Sequence, residues 1–70
     1  MITKKDIKLG RNVQKARKEA GLTQEQLAEK TGFSTTYIGY IEIGQKRPTL
    51  KALNKIATTL RVKVKDLIPY

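Results

Sequence analysis

Apolar residues recur at helical spacing from near the start of the chain. In the first segment the intervals between them are four, three and four residues, at Leu9, Val13, Ala16 and Ala20. Side chains three or four residues apart lie on the same face of an α-helix. Thr3 and Asp6 have the spacing of a capping box, and Gly21 suits a left-handed helix end. The pattern therefore predicts a helix from about Lys4 to Ala20.

Two shorter helices are predicted next. Thr23 and Gln26 repeat the capping-box spacing, and Gly32 ends this second helix after about two turns. Ser34 is placed to cap a third helix, which ends near Gly44. The second helix has a short apolar face of Leu27 and Ala28. The apolar residues expected to face inward from the third helix and its entry are Phe33, Tyr37, Ile38 and Ile41.

A polar loop and two further helices complete the pattern. Pro48 disfavours helix at the residue before it, so the loop GQKRP separates the third helix from a fourth that Thr49 can cap. The predicted buried face of this fourth helix consists of Leu50, Leu53, Ile56, Ala57 and Leu60. A short fifth helix is expected to begin near Val64 and to carry Leu67 and Ile68.

The segment at residues 62–65 has a second interpretation. Val62 and Val64 alternate with Lys63 and Lys65 at period two, which is typical of a strand, but a lone strand would have no partner. We therefore expect an all-α fold, a compact bundle of about five short helices.

The composition points to a partner of opposite charge. The chain has 70 residues, which suffice for a single domain over residues 1–70, and 15 Lys plus Arg against 6 Asp plus Glu give a net charge of +9. This excess favours a polyanion, although charge alone does not distinguish DNA, RNA and an anionic membrane surface. The sequence has no Cys, no apolar leader and no apolar run long enough to cross a bilayer, which predicts a cytoplasmic protein.

The sequence offers little for catalysis or metal binding. It has no His, no Cys, 6 carboxylate side chains and no glycine-rich phosphate-binding loop. We therefore expect no enzymatic activity, no metal site and no cofactor. No small-molecule effector is evident from the sequence.

One stretch of the chain resembles a known DNA-binding motif. The sequence LTQEQLAEKTGFSTTYIGYIEIGQKRPTL is similar to the helix-turn-helix of the lambda-repressor-like, Cro/C1-type (XRE-like) family. Two short helices that meet steeply need a small residue at their crossing, a turn, and an apolar side chain that fills the junction. Ala28, Gly32 and Ile38 supply these three features.

The resemblance extends from about Leu9 to Ile68, with the motif at about residues 23–43. It implies a lambda-repressor-like fold and sequence-specific binding of double-stranded DNA by a transcription regulator, either a repressor or an autoregulatory controller. The alternative function is a protein-interaction module, such as an antitoxin or a coactivator with the same fold, which would bind a protein strongly and DNA weakly. RNA is disfavoured because the narrow major groove of A-form RNA excludes a helix.

The family places its second motif helix in the major groove, where each base pair displays a distinct pattern of donors and acceptors. By similarity, Thr35, Thr36 and Tyr40 are the base-contacting residues; an ordinary solvated polar face is the alternative. This face carries no Arg, Lys, Asn or Gln, so we expect modest discrimination that leans towards A·T. Gly39 costs the helix about 1 kcal/mol relative to Ala, and either close approach to DNA or tolerance of an imperfect helix would account for it.

DNA backbone contacts are expected on both sides of that helix. Phosphate needs only amides, hydroxyls and cations beside the groove, and a helix N-terminus attracts anions. The resemblance also places Gln24 on a phosphate. The predicted backbone-contacting residues are Thr23, Gln24, Ser34, Tyr37, Lys46, Arg47 and Thr49. For the two cations of this set, a solvated loop is the alternative.

Two further expectations concern assembly. The resemblance pairs Arg17 of the first helix with Glu42 of the third as a structural brace, whereas an exposed pair would contribute only about 0 to 1 kcal/mol.

One recognition helix reads few base pairs, so we expect a homodimer on a two-fold symmetric operator. The apolar candidates for its contact, which can instead complete the monomer core, are Leu60, Val62, Leu67, Ile68 and Tyr70.

Overall fold

The chain forms helices where its capping residues and apolar spacing predict them. A computed structural model describes residues 2–70, which form five α-helices. They are α1 (Lys4–Glu19), α2 (Gln24–Thr31), α3 (Thr35–Glu42), α4 (Leu50–Leu60) and α5 (Val64–Leu67). No strand occurs among residues 2–70, so the alternation at Val62 and Val64 resolves as the entry to a helix. The all-α prediction is confirmed.

The helix starts follow the predicted caps. The side-chain oxygen of the capping residue accepts a hydrogen bond from the backbone N–H three residues on, at Thr3, Thr23, Ser34 and Thr49. Both predicted capping boxes are formed, since the side chains of Asp6 and Gln26 accept from the backbone N–H of the capping threonines. Caps of this kind typically contribute about 1 kcal/mol each.

A single apolar cluster joins the helices. Its fully buried members include Val13, Leu27, Ile38, Ile41, Ile56 and Leu67. Phe33 and Tyr37 pack against it from a half-buried position, with their rings edge to face and centroids 5.1 Å apart. The short α5 is held by Leu67, whose backbone carbonyl also accepts a hydrogen bond of 2.9 Å from Asn12 Nδ2 of α1.

The predicted buried face of α4 is wrong at its first residue. Leu50 is 63% exposed, whereas Leu53, Ile56, Ala57 and Leu60 are buried. Leu50 is the first residue of the helix, at the edge of the apolar stripe, and so lies beyond the end of the core. Ala52 is buried in its place.

Helix α1 crosses the end of α3 at Gly10, a residue for which the sequence pattern predicts no role. Gly10 is buried, and a Cβ atom there would overlap the carbonyl oxygen of Ile41 and lie 2.7 Å from that of Glu42. Only glycine allows the two backbones to approach this closely. This crossing sets the position of α3 on the rest of the bundle.

Candidate nucleic-acid interface

The outward face of α3 is polar and accessible. Thr35 and Thr36 are exposed in its first turn, and Tyr40 is 48% exposed one turn later. The opposite face of the same helix carries Ile38 and Ile41, which are fully buried. The three residues predicted to contact bases therefore share one open face, because the apolar side chains orient the helix.

A buried charged group supports α3 from behind. Arg17 Nε donates to Glu42 Oε2 at 2.6 Å, and a second guanidinium nitrogen donates to Glu42 Oε1 at 3.1 Å. The side chains of this pair are 9% and 0% exposed. Arg17 also donates to the carbonyl oxygen of Leu22, at 2.8 Å, just before α2. The pair anticipated from the resemblance is thus brought together, and it links α1, α3 and the entry to α2.

Gln24 belongs to the same group, which the sequence did not reveal. Its Nε2 donates to Glu42 Oε1 at 3.0 Å, and the residue is half-buried at the start of α2. The residues are 18 apart in the chain, so no local pattern indicates the contact. Every buried side-chain nitrogen and oxygen in the described part of the chain has a hydrogen-bond partner, which is the condition for retaining charge inside a core.

Three of the predicted backbone-contacting residues are helix caps. The hydroxyl oxygens of Thr23, Ser34 and Thr49 each accept a backbone N–H, at 3.0, 3.0 and 3.1 Å. A hydroxyl that accepts such a bond keeps its own hydrogen for donation. All three residues are exposed, so each can still donate to a phosphate oxygen without giving up its cap.

Arg47 has an intramolecular partner, which the sequence also did not predict. Its Nε and one terminal nitrogen donate to the two carboxylate oxygens of Asp6 at 2.8 and 3.1 Å. These bonds, together with the backbone N–H of Thr3, hold the pKa of Asp6 well below its usual range, and Asp6 in turn raises the pKa of Arg47. To bind a phosphate, Arg47 must either break its hydrogen bonds to Asp6 or use the N–H groups that Asp6 leaves free. Lys46 beside it is exposed and carries no such bond.

Two lysines of α4 lie beside the predicted phosphate contacts. A shallow cleft of about 320 Å³ between the starts of α3 and α4 is lined by Phe33, Tyr37, Thr49, Lys51, Ala52 and Lys55. Lys55 Nζ stands 5.6 Å from the ring centroid of Phe33, a cation–π arrangement. The spacing of four residues between the lysines indicates one helix face, but only the packing of α4 shows that this face adjoins Tyr37.

No group of three or more acidic or sulfur- or imidazole-bearing side chains within residues 2–70 is placed to hold a metal ion. No helix in the same range has the length and apolar character needed to cross a membrane.

Comparison with known proteins gives consistent matches. The HTH_3 helix-turn-helix family model matches residues 13–67. Control protein C.SmaI from Serratia marcescens is 42% identical over 65 residues, which cover 90% of this chain and 77% of that protein. The chain covers from 41% to 83% of the lengths of the relatives compared.

Solved structures agree with the sequence matches. The restriction-modification controller protein C.AhdI from Aeromonas hydrophila has a TM-score of 0.85 and 34% identity, with 89% of this chain and 94% of that chain covered. The master regulator for biofilm formation SinR, solved in complex with DNA, has a TM-score of 0.80 and 33% identity, with 84% of this chain and 95% of that chain covered.

Proposed function

This chain belongs to the HTH_3 helix-turn-helix family, and we propose that it is a transcription regulator that binds duplex DNA by inserting α3 into the major groove. The observation that carries the proposal is the exposed polar face of α3, formed by Thr35, Thr36 and Tyr40, on a helix that a buried ion pair holds from behind. An α-helix fits the major groove, whose width is about 12 Å. The eight residues of α3 span about 12 Å at 1.5 Å per residue.

Phosphate contacts on either side of the groove would orient α3. We assign these phosphate contacts to the hydroxyls of Thr23, Ser34 and Thr49 and to the cation of Lys46. The structure adds Lys51, which lines the cleft beside Thr49. Tyr37, half-buried beside the cleft, completes this surface. A net charge of +9 supports binding because each neutralised phosphate releases counterions. The solved complex of SinR with DNA supports the proposal that this chain binds DNA.

We further propose that two copies bind a two-fold symmetric operator. Of the candidate contact residues, Leu60 and Leu67 are 5% and 1% exposed, so for these two the alternative holds that they complete the monomer core. Their side chains are held in the monomer core. Tyr70 is 68% exposed beside the start of α1, and Val62 and Ile68 are half-buried, Val62 beside the end of α1. This reduced set is the surface that we assign to the dimer.

The family is one of DNA-binding regulators and not of enzymes. We propose that this chain has no catalytic role and that it acts in the cytoplasm, where a regulator of this kind meets its operator. The continuous apolar cluster supports one domain over the described residues.

The test is a selection from random duplex DNA, followed by titration of the selected and scrambled duplexes at several salt concentrations. Replacing Thr36 by Ala is expected to weaken binding to the selected site more than to the scrambled one, with the salt slope unchanged. Replacing Lys46 by Ala is expected to weaken both equally and to reduce the salt slope by about one.

Lys65 on α5 provides the matched control, since it is exposed and α5 packs mainly on α1 and α4. Its replacement by Ala is expected to leave the salt slope at the parent value. If the parent protein shows no salt-dependent binding to any duplex, the DNA-binding proposal is wrong and a protein-interaction role takes its place.

A further inference from the structure

The side chain of Arg47 is held against the first turn of α1. Its Nε donates to Asp6 Oδ1 at 2.8 Å, and a terminal nitrogen donates to Oδ2 at 3.1 Å. The carboxylate is the fixed member of this pair, because its Oδ2 also accepts the backbone N–H of Thr3 at 2.9 Å and its side chain is only 10% exposed. The Arg47 side chain is 63% exposed. When the pair opens, Arg47 is therefore the side chain that moves.

The loop that carries Arg47 is tied to α1 independently of this pair. A Cβ atom at Gly44 would lie 2.8 Å from the Cα atom of Ile7, so the backbone of the loop lies directly against α1. Gly44 also has a φ of +78°, which glycine adopts without strain. Opening the pair therefore releases the guanidinium of Arg47 and leaves the loop in place.

The paired guanidinium faces the start of α1. Arg47 lines one shallow cleft with Lys4, Lys5 and Tyr70, and a second with Gln45. Neither of these clefts is lined by the capping hydroxyls of α2, α3 and α4 that we assign to phosphates. A phosphate that approached the intact pair would also meet the Asp6 carboxylate, and like charges at short range repel.

We propose that Asp6 competes with DNA phosphate for the guanidinium of Arg47 and thereby lowers the affinity of the protein for every duplex. Carboxylate and phosphate oxygens bind a guanidinium through the same pair of parallel hydrogen bonds, so one can replace the other. Asp6 acts through Arg47 and is a positioning residue. The inference rests on the proposed binding of duplex DNA and on the phosphate contact predicted for Arg47.

The experiment measures Kd for the selected and scrambled duplexes with the parent, Asp6→Asn, Arg47→Ala, the variant that carries both changes, and Asp66→Asn. Asparagine keeps an oxygen that can accept the N–H of Thr3, so the cap of α1 is retained. Asp66 is the matched control: its carboxylate likewise accepts a backbone N–H, that of Lys63 at 3.0 Å, and it is exposed and forms no ion pair within residues 2–70. Circular dichroism at the assay temperature verifies that each protein is folded.

Asp6→Asn should tighten binding to both duplexes by about two- to fivefold, the range expected for releasing an exposed ion pair. The ratio of the two affinities should stay at the parent value, because phosphate contacts carry no sequence information. Asp66→Asn measures the effect of the changed net charge alone and should tighten binding by less. In the protein that already carries Arg47→Ala, the Asp6→Asn change should alter Kd by no more than Asp66→Asn does in the parent.

The inference is overturned if Asp6→Asn tightens binding no more than Asp66→Asn does, or by the same factor with and without Arg47. Weaker binding by the Asp6→Asn protein also overturns it, since Asp6 would then orient Arg47 towards the phosphate. A parent that shows no salt-dependent binding to any duplex would instead refute the proposed function, so the two failures are distinguishable.

Discussion

The two glycines inside helices give opposite predictions for the same substitution. Replacing a helix-interior glycine by alanine favours the helix by about 1 kcal/mol when nothing else changes. At Gly39 the added Cβ meets only the Gln24 amide, at 3.7 Å and beyond, which is ordinary contact. At Gly10 it meets the backbone carbonyls of Ile41 and Glu42, the latter at 2.7 Å. The substitutions differ only in what surrounds the new methyl group.

The magnitude at Gly10 follows from the nature of those atoms. Overpacking a core costs about 1 to 3 kcal/mol, and here the cost is expected at the upper end because backbone carbonyls in the last turn of α3 cannot rotate away. After the gain in helix propensity, we expect Gly10→Ala to lose about 2 kcal/mol of unfolding free energy. For Gly39→Ala we expect a gain of up to about 1 kcal/mol.

Thermal and urea unfolding followed by circular dichroism measure both effects. In a domain of this size 1 kcal/mol moves Tm by about 4 to 8 °C, so Tm should fall by about 8 to 16 °C for Gly10→Ala and rise by up to about 8 °C for Gly39→Ala. A Gly10→Ala protein as stable as the parent would refute the close crossing of α1 and α3. A Gly39→Ala protein that is destabilised by more than 1 kcal/mol would refute the open space beside α3.

Three other predictions concern charge and burial. Glu42→Ala leaves the buried guanidinium of Arg17 without its carboxylate and should cost about 3 to 5 kcal/mol in urea unfolding; a change within about 0.5 kcal/mol, as at an ordinary surface site, would contradict the brace. The pKa of Asp6 is lowered, so its pair with Arg47 stabilises the fold above the ordinary carboxyl pKa of 3.8, and this contribution is lost as the pH falls below that value. The Asp6→Asn protein should therefore be less stable than the parent at neutral pH, and the difference in unfolding free energy should shrink in acid. Leu50→Ala should change the unfolding free energy by no more than about 0.5 kcal/mol, because the side chain is exposed, and a loss of 2 kcal/mol or more would place it in the core.

The helices and their starts could be predicted from the sequence because the information is local. A capping threonine and the group that it binds are three residues apart, as at Thr3 with Asp6 and Thr23 with Gln26. The apolar stripe of a helix repeats every three or four residues, and the ends at Gly21 and Gly32 need only the freedom of glycine at positive φ. These signals depend on a few neighbours along the chain, and packing did not override them.

The features decided by the tertiary structure join residues that the chain keeps apart. Asp6 meets Arg47 across 41 residues, and Gln24 meets Glu42 across 18. Periodicity describes a helix face but not its neighbour, so it placed the exposed Leu50 in the core and gave Gly10 no role, although a glycine is required where two backbones touch. Long-range hydrogen bonds and steric contacts depend on how the helices cross, which no interval along the sequence encodes.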